Sequence, residues 1–256
     1  MFLLNELGTN VVVLALCFAL FAGFVKGVVG FALPIIMVSC LGSIMSPELA
    51  LAALILPTLF ANAAQSFRQG ARAAWESVLQ FWVYITFLCL FILLSAQLVR
   101  LVPSKALYFM IGGPVVLFTL SQLVGFSIEI KRTRRLRAEI LFGAFAGFCG
   151  GTSGTWGPPT VAFLTAVKTS KLDSVRIQGV IYGVGAVFLF IAHIRSGIFN
   201  AETAPLSALM LLPVGLGMWA GKWVQDRLNQ QGFRTLTLII LTVAGLNLIR
   251  RGIIGL

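Results

Sequence analysis

The sequence predicts an all-α polytopic membrane protein built as two inverted-topology repeats, each a glycine- and proline-broken helical hairpin followed by three transmembrane helices. Three observations lead there. The 256 residues are 59% hydrophobic and only 11% charged, with a mean hydropathy of +0.98, which is more apolar surface than one water-soluble core can hide. The stretch Phe21 to Pro34, FAGFVKGVVGFALP, returns as Phe145 to Pro158, FAGFCGGTSGTWGP: Phe21, Ala22, Gly23, Phe24, Gly27, Gly30 and Pro34 all recur at a constant offset of 124. Self-similarity at one fixed spacing marks an internal duplication. Finally, the basic residues fall unevenly among the connecting loops, and that asymmetry sets orientation.

The elements follow in order. Asn10 to Ser46 would make roughly 55 Å of helix, too long for one crossing and short for two, so it bends or doubles back near Gly27 to Pro34. Spans follow at Pro47 to Phe67, Trp75 to Val99 and Ser104 to Phe126. The hydrophilic IKRTRRLR, Ile130 to Arg137, then divides a first repeat, 1–129, from a second, 138–256. That repeat has a broken block from Leu141 to Val167 and spans near Asp173 to Ile194, Ala204 to Val224 and Phe233 to Ile249. Its Arg195-Ser-Gly197 echoes Arg68-Gln-Gly70 of the first copy.

Charge decides how the copies are related. If each broken block starts and finishes on one side, thirteen lysines and arginines lie on one face: Arg68, Arg72, the five between Lys131 and Arg137, Lys168, Lys171, Arg176, Lys222, Arg227 and Arg234. Five lie on the other: Arg100, Lys105, Arg195, Arg250 and Arg251. A single crossing by each block gives ten against eight. The positive-inside tendency therefore favours inverted repeats, with the 130–137 linker cytoplasmic and both termini outside. The N-terminal MFLLNELGTN lacks the basic start of a secretory signal, so no cleavage is expected.

The net charge of +11 lies between apolar runs rather than on one folded face. Its expected partners are membrane lipids, not nucleic acid. Cys17, Cys40, Cys89 and Cys149 show no metal-binding spacing, and no catalytic triad or phosphate loop is visible, so neither a cofactor nor an enzymatic activity is expected.

The chemistry concentrates in the broken blocks. A helix interrupted at membrane depth bares backbone N–H groups at the start of its second half, where the dipole adds positive potential; that is an anion site. In the first copy the candidate substrate-binding residues are Lys26, Gly27 and Gly30, with Pro34 as a hinge. Lys26 is the only lysine or arginine well inside a predicted span, where an unpaired ammonium costs at least ~2.5 kcal/mol. A ligand, a polar cavity or snorkelling must compensate it.

The second copy replaces charge by hydroxyls: Gly151, Thr152, Ser153, Gly154, Thr155 and Trp156, with Pro158 as the matching hinge. Asn62, Gln65, Gln178 and Tyr182 are the polar residues of the spans that follow. Each has a plainer use: glycines for close helix contact, hydroxyls for back-bonding and amides for interhelical bonds. All eight carboxylates lie near predicted loops, which disfavours a carboxylate proton relay. A coupling ion would be the substrate's own proton or a sodium held by carbonyls and hydroxyls.

The duplicated G-F-x-x-G-x-x-G-x-x-x-P blocks, the spans ending R-x-G and the basic mid-chain loop make the chain resemble the TauE/SafE family of bacterial anion permeases over essentially its whole length. Members of that family often carry a longer glycine run where this chain has Phe31, Ala32 and Leu33. The resemblance implies an inner-membrane transporter of sulfite or a short organosulfonate working by alternating access. An anion channel, or a permease for small carboxylates, is the alternative. Leucine-rich outer faces are compatible with a homodimer.

Overall fold

A computed structural model describes residues 8–96, 104–125, 129–153, 156–195 and 197–254. Every regular element among them is helical. The first half runs α1 (Gly8–Val29), α2 (Leu33–Leu41), α3 (Pro47–Ser66), α4 (Ala71–Gln80), α5 (Trp82–Ala96) and α6 (Ser104–Leu123). The second runs α7 (Arg135–Ser153), α8 (Gly157–Ala166), α9 (Lys171–Arg195), α10 (Ala204–Leu209), α11 (Leu211–Arg227) and α12 (Gln230–Ile254). Both halves thus follow one plan: a long helix, a break, a short helix, a long helix, an interrupted helix and a last long helix.

Among the described residues five helices are long and apolar enough to cross a membrane, and the bent pair Ala71–Gln80 with Trp82–Ser95 makes a sixth. Large apolar side chains such as Leu117, Leu141 and Leu212 stay exposed, as the outer face of a bundle in lipid requires. The chain is a multi-pass membrane protein.

Local chemistry explains the boundaries. Ser46 accepts a hydrogen bond from the Leu49 amide at 3.4 Å and Pro47 follows it, an N-cap followed by the residue that needs no amide partner. The two R-x-G endings break the chain alike, with φ of +90° at Gly70 and +77° at Gly197. Two expected boundaries need correction. Trp75 to Val99 is not one straight span, because the chain bends by 75° between α4 and α5. The α4 segment ARAAWESVLQ carries Arg72 and Glu76, paired at 3.2 Å, and an amphipathic helix of this kind suits an interface rather than a crossing. Residues 97–99 lie outside the described set. The second broken block begins at Arg135 rather than Leu141, since the linker ends in a 3₁₀ turn, Arg132–Arg134, and Arg135 pairs with Glu139 one turn on at 2.8 Å.

The packing has an exchange symmetry. The most extensive helix contacts pair α1 with α11, α5 with α7, α3 with α9 and α6 with α12. Swapping the halves maps this set onto itself. At the α1–α11 contact, a Cβ on Gly23, Gly27, Gly217 or Gly221 would strike the facing backbone, so the two helices touch main chain to main chain. At α5–α7 only one partner supplies the glycines: Gly143 and Gly147 face Tyr84 and Leu88.

Contacts also gather the basic loops. Arg68, in the 3₁₀ turn that follows α3, binds Gln225 and Asp226 at the end of α11. Lys168 pairs with Glu129 at 2.6 Å, and the Ile130 amide donates to Ala166 at 3.0 Å, tying the end of α8 to the linker. The end of α2 is held elsewhere: Arg251, in the last turn of α12, donates to Ser39 at 2.7 Å.

Candidate functional site: a cavity between two broken helices

The first break occupies Gly30 to Ala32. The Gly30 amide still closes a turn on Lys26 O at 2.7 Å, but among the described residues no backbone hydrogen bond is donated by Phe31, Ala32, Leu33 or Ile35. Gly30 has φ +87° and Ala32 φ +76°. The second value puts an alanine in the left-handed region, at a cost of about 1–2 kcal/mol. Pro34 sits in the first turn of α2, where its missing N–H is no loss. The second break separates Ser153 from Gly157, and Pro158 and Pro159 open α8. Two of the amides that a helix start would normally offer are therefore absent there.

Lys26 stands at the centre. It is 3% exposed, and its ammonium donates to Asn62 Oδ1 at 2.7 Å and to Gly30 O at 3.3 Å. It also lies 5.6 Å from the centre of the Tyr182 ring. All these partners are neutral. No carboxylate among the described residues pairs with it, so its charge is solvated by dipoles alone. Two of its three donors are used.

The neighbouring spans hold this centre in place. Gln65 donates through Nε2 to Gly30 O at 3.1 Å and also to Val175 O. Gln178 packs beside Gly30, where an added Cβ would come within 2.8 Å of its Oε1, and donates to Ser174 at 3.2 Å. Tyr182 joins the two breaks: its ring faces Lys26 while its hydroxyl donates to Gly157 O at 3.1 Å. Trp156 is buried against Gly150 and Gly185, whose Cβ positions would lie 3.0 and 2.8 Å from its ring. Below it, Tyr84 donates to Thr160 at 2.9 Å and Thr160 donates to Trp156 O at 2.8 Å.

Between the breaks lies a cavity of about 40 Å³, lined by Lys26, Phe31, Ala32, Pro34 and Ile35 from the first copy, Trp156 and Gly157 from the second, and Thr58, Asn62 and Tyr182 from α3 and α9. That is room for about three water-sized occupants. Of the residues expected at the site, Lys26, Gly30, Asn62, Gln65, Trp156, Gln178 and Tyr182 are thus brought together. Gly27 packs on Met218 and Gly221 while also lining a second, larger cavity. Gly154 and Thr155 lie outside the described residues, as do the side chains of Gly151, Thr152 and Ser153.

Sequence reasoning missed Thr58. It is 7% exposed, it lines the cavity, and its hydroxyl has no partner. The signal was present: Thr58, Asn62 and Gln65 recur at i, i+4 and i+7, one face of α3. Among the described residues no group of three or more His, Cys, Asp or Glu side chains could hold a metal.

A helical multi-pass bundle with a buried, singly cationic hollow between two interrupted helices defines a class: polytopic membrane proteins whose polar site lies within the bundle. The family described as sulfite exporter TauE/SafE matches residues 15–248, which takes in part or all of every element from α1 to α12. The chain belongs to this family of sulfur-anion transporters. No curated protein and no solved structure matches it.

Proposed function

We propose that the protein is a secondary transporter that moves a small anion, sulfite or a short organosulfonate, across the bacterial inner membrane by alternating access. One observation carries this reading: a buried ammonium with only neutral partners, beside a cavity edged by unbonded amides and the free Thr58 hydroxyl. An oxyanion there would neutralise Lys26 and accept from Thr58 and from the amides at the start of α2. Trp156 and Tyr182 would form the wall supplied by the second copy and by α9.

The exchange-symmetric packing supports a pseudo-two-fold relation between the repeats. The opposite tethering of α2, to Arg251, and of α8, to the linker, supports an inverted one. In that arrangement the linker is cytoplasmic and both termini face outward. Movement of one repeat against the other then exposes the cavity alternately.

The test is uptake of radiolabelled sulfite into proteoliposomes. Lys26→Gln should lower flux by tenfold or more, taking about 1.5–3 kcal/mol for a lost charged hydrogen bond; undiminished flux would remove the lysine from the mechanism. Preloaded unlabelled sulfite should accelerate uptake by exchange, whereas a channel would show no such counterflow. Acetate and lactate should compete poorly, and strong competition would turn the reading toward carboxylates.

A further inference from the structure

Beside the central cavity lies a larger, half-open one of about 260 Å³, bounded by α1, α3 and α11 with Val175 of α9. Lys26 lines both, so its side chain is the wall they share. The larger cavity adds two cationic residues, Arg68 and Lys222, and no carboxylate lines it. Arg68 is fixed by Gln225 and Asp226. Lys222 is exposed and makes no hydrogen bond or ion pair with the described residues. Phe60 and Trp219 form its exposed apolar rim, with Gly215 and Met218 between them.

The positions along α3 give the cavity a direction. Asn62 holds the Lys26 ammonium, Gln65 follows, and Arg68 stands in the 3₁₀ turn, Phe67–Gln69, just past the helix. Four α-helical steps and two 3₁₀ steps put Arg68 roughly 10 Å from Asn62 along the axis. Unneutralised positive charge therefore stands at Lys222 in the outer cavity and at Lys26 where the two cavities meet, with Arg68 beside them paired to Asp226. The volumes differ in a way that matters: the outer space admits an anion with part of its water, whereas the inner one admits only a few water-sized atoms.

We infer that this larger cavity is a second oxyanion site, in which Lys222 and Arg68 hold a partly hydrated sulfite-like group before Lys26 takes it inward. Its role as a way station rests on the transport reading above; the binding itself does not. The chemistry recognised is a small tetrahedral or pyramidal oxyanion, which a free ion or the phosphate of an acidic lipid could supply.

Trp219 reports on the site directly. In nanodiscs of phosphatidylcholine, the Trp219 emission, taken as the difference between the parent chain and W219F, should be quenched several-fold more strongly by iodide than by caesium. Sulfite should protect it saturably. K222Q should lose the iodide preference and the protection, and K222R should regain both. Replacing a third of the lipid by phosphatidylglycerol should leave sulfite protection intact if a free ion is the occupant. Loss of iodide access with that lipid instead shows a headgroup in the same site. Equal quenching by iodide and caesium, or a K222Q protein that behaves like the parent, overturns the inference. The two claims fail separately: a parent chain that takes up no sulfite while Trp219 is protected would sink the transport reading and leave the outer site standing, and Lys26→Gln should lower uptake tenfold or more with Trp219 still protected.

Discussion

The two breaks come from one duplicated stretch, yet they have diverged in opposite directions. The first carries the charge: Lys26, bonded to Asn62 and Gly30, and a run of unbonded amides from Phe31 to Ile35. The second carries shape. Pro158 and Pro159 strip its helix start of donors, Gly150 stands where Lys26 would be, and Trp156 fills the space between Gly150 and Gly185. A duplicated scaffold can keep its symmetry in helix packing while giving the ligand an asymmetric pocket, cationic on one wall and aromatic on the other. Holding a second buried ammonium close by would have added repulsion and another desolvation penalty with no carboxylate to offset it.

This division can be broken most severely at the charge. Lys26→Gln should abolish most sulfite uptake while leaving the protein folded, because the glutamine can still donate to Asn62; Trp156→Phe, at the matching wall, should weaken uptake far less. A comparison of initial rates decides it, and equal losses would refute the asymmetry. Next comes the backbone of the first break. Gly30→Ala forces a side chain into φ +87° and to within 2.8 Å of Gln178 Oε1, so a stability loss of about 1–2 kcal/mol is expected, with reduced flux. Thermal unfolding in detergent measures the first and vesicle uptake the second.

Smaller effects sharpen the contrast. Gln225 donates to Val28 O at 2.8 Å and is fully buried, supporting the last turn of α1 before the break. Gln225→Leu should cost about 1–3 kcal/mol by leaving that carbonyl without its side-chain donor and Arg68 with Asp226 alone. Beside the second break, Tyr84→Phe of α5 removes only the bond to Thr160 and should cost about 1 kcal/mol with uptake unchanged. The smallest change should be a gain. Ala32→Gly relieves a left-handed alanine and should raise stability by up to about 1 kcal/mol, visible as a modest rise in melting temperature; a fall would mean that Ala32 is not strained.

Much of this was legible in the residues themselves. Periodicity was not needed to find the helices, since apolar length alone marks them, and the recurring FAGF block located both breaks. Asn62 and Gln65 could be set on one face of α3 because helical spacing is fixed. The bend at Phe81 was not legible, because a hydropathy window averages the amphipathic α4 into the apolar α5. Thr58 was overlooked for a related reason: a threonine in a span usually back-bonds to its own helix, and only its neighbours reveal that here it does not.

The sequence by itself determined an all-helical membrane bundle, the place where each recurring block is interrupted, and the single cation that must be accommodated there. Those follow from composition and local backbone rules, which act over a few residues. Only the tertiary structure decided that Tyr182 spans both breaks, that Gln65 and Gln178 converge on Gly30, and that Gly27 serves packing while Gly30 serves the turn. Such pairings join residues of different elements, several of them more than a hundred positions apart, and their distances are set by how closely α1 and α11, and α3 with α9, can approach. That closeness depends on side chains from both halves together, and no single stretch encodes it.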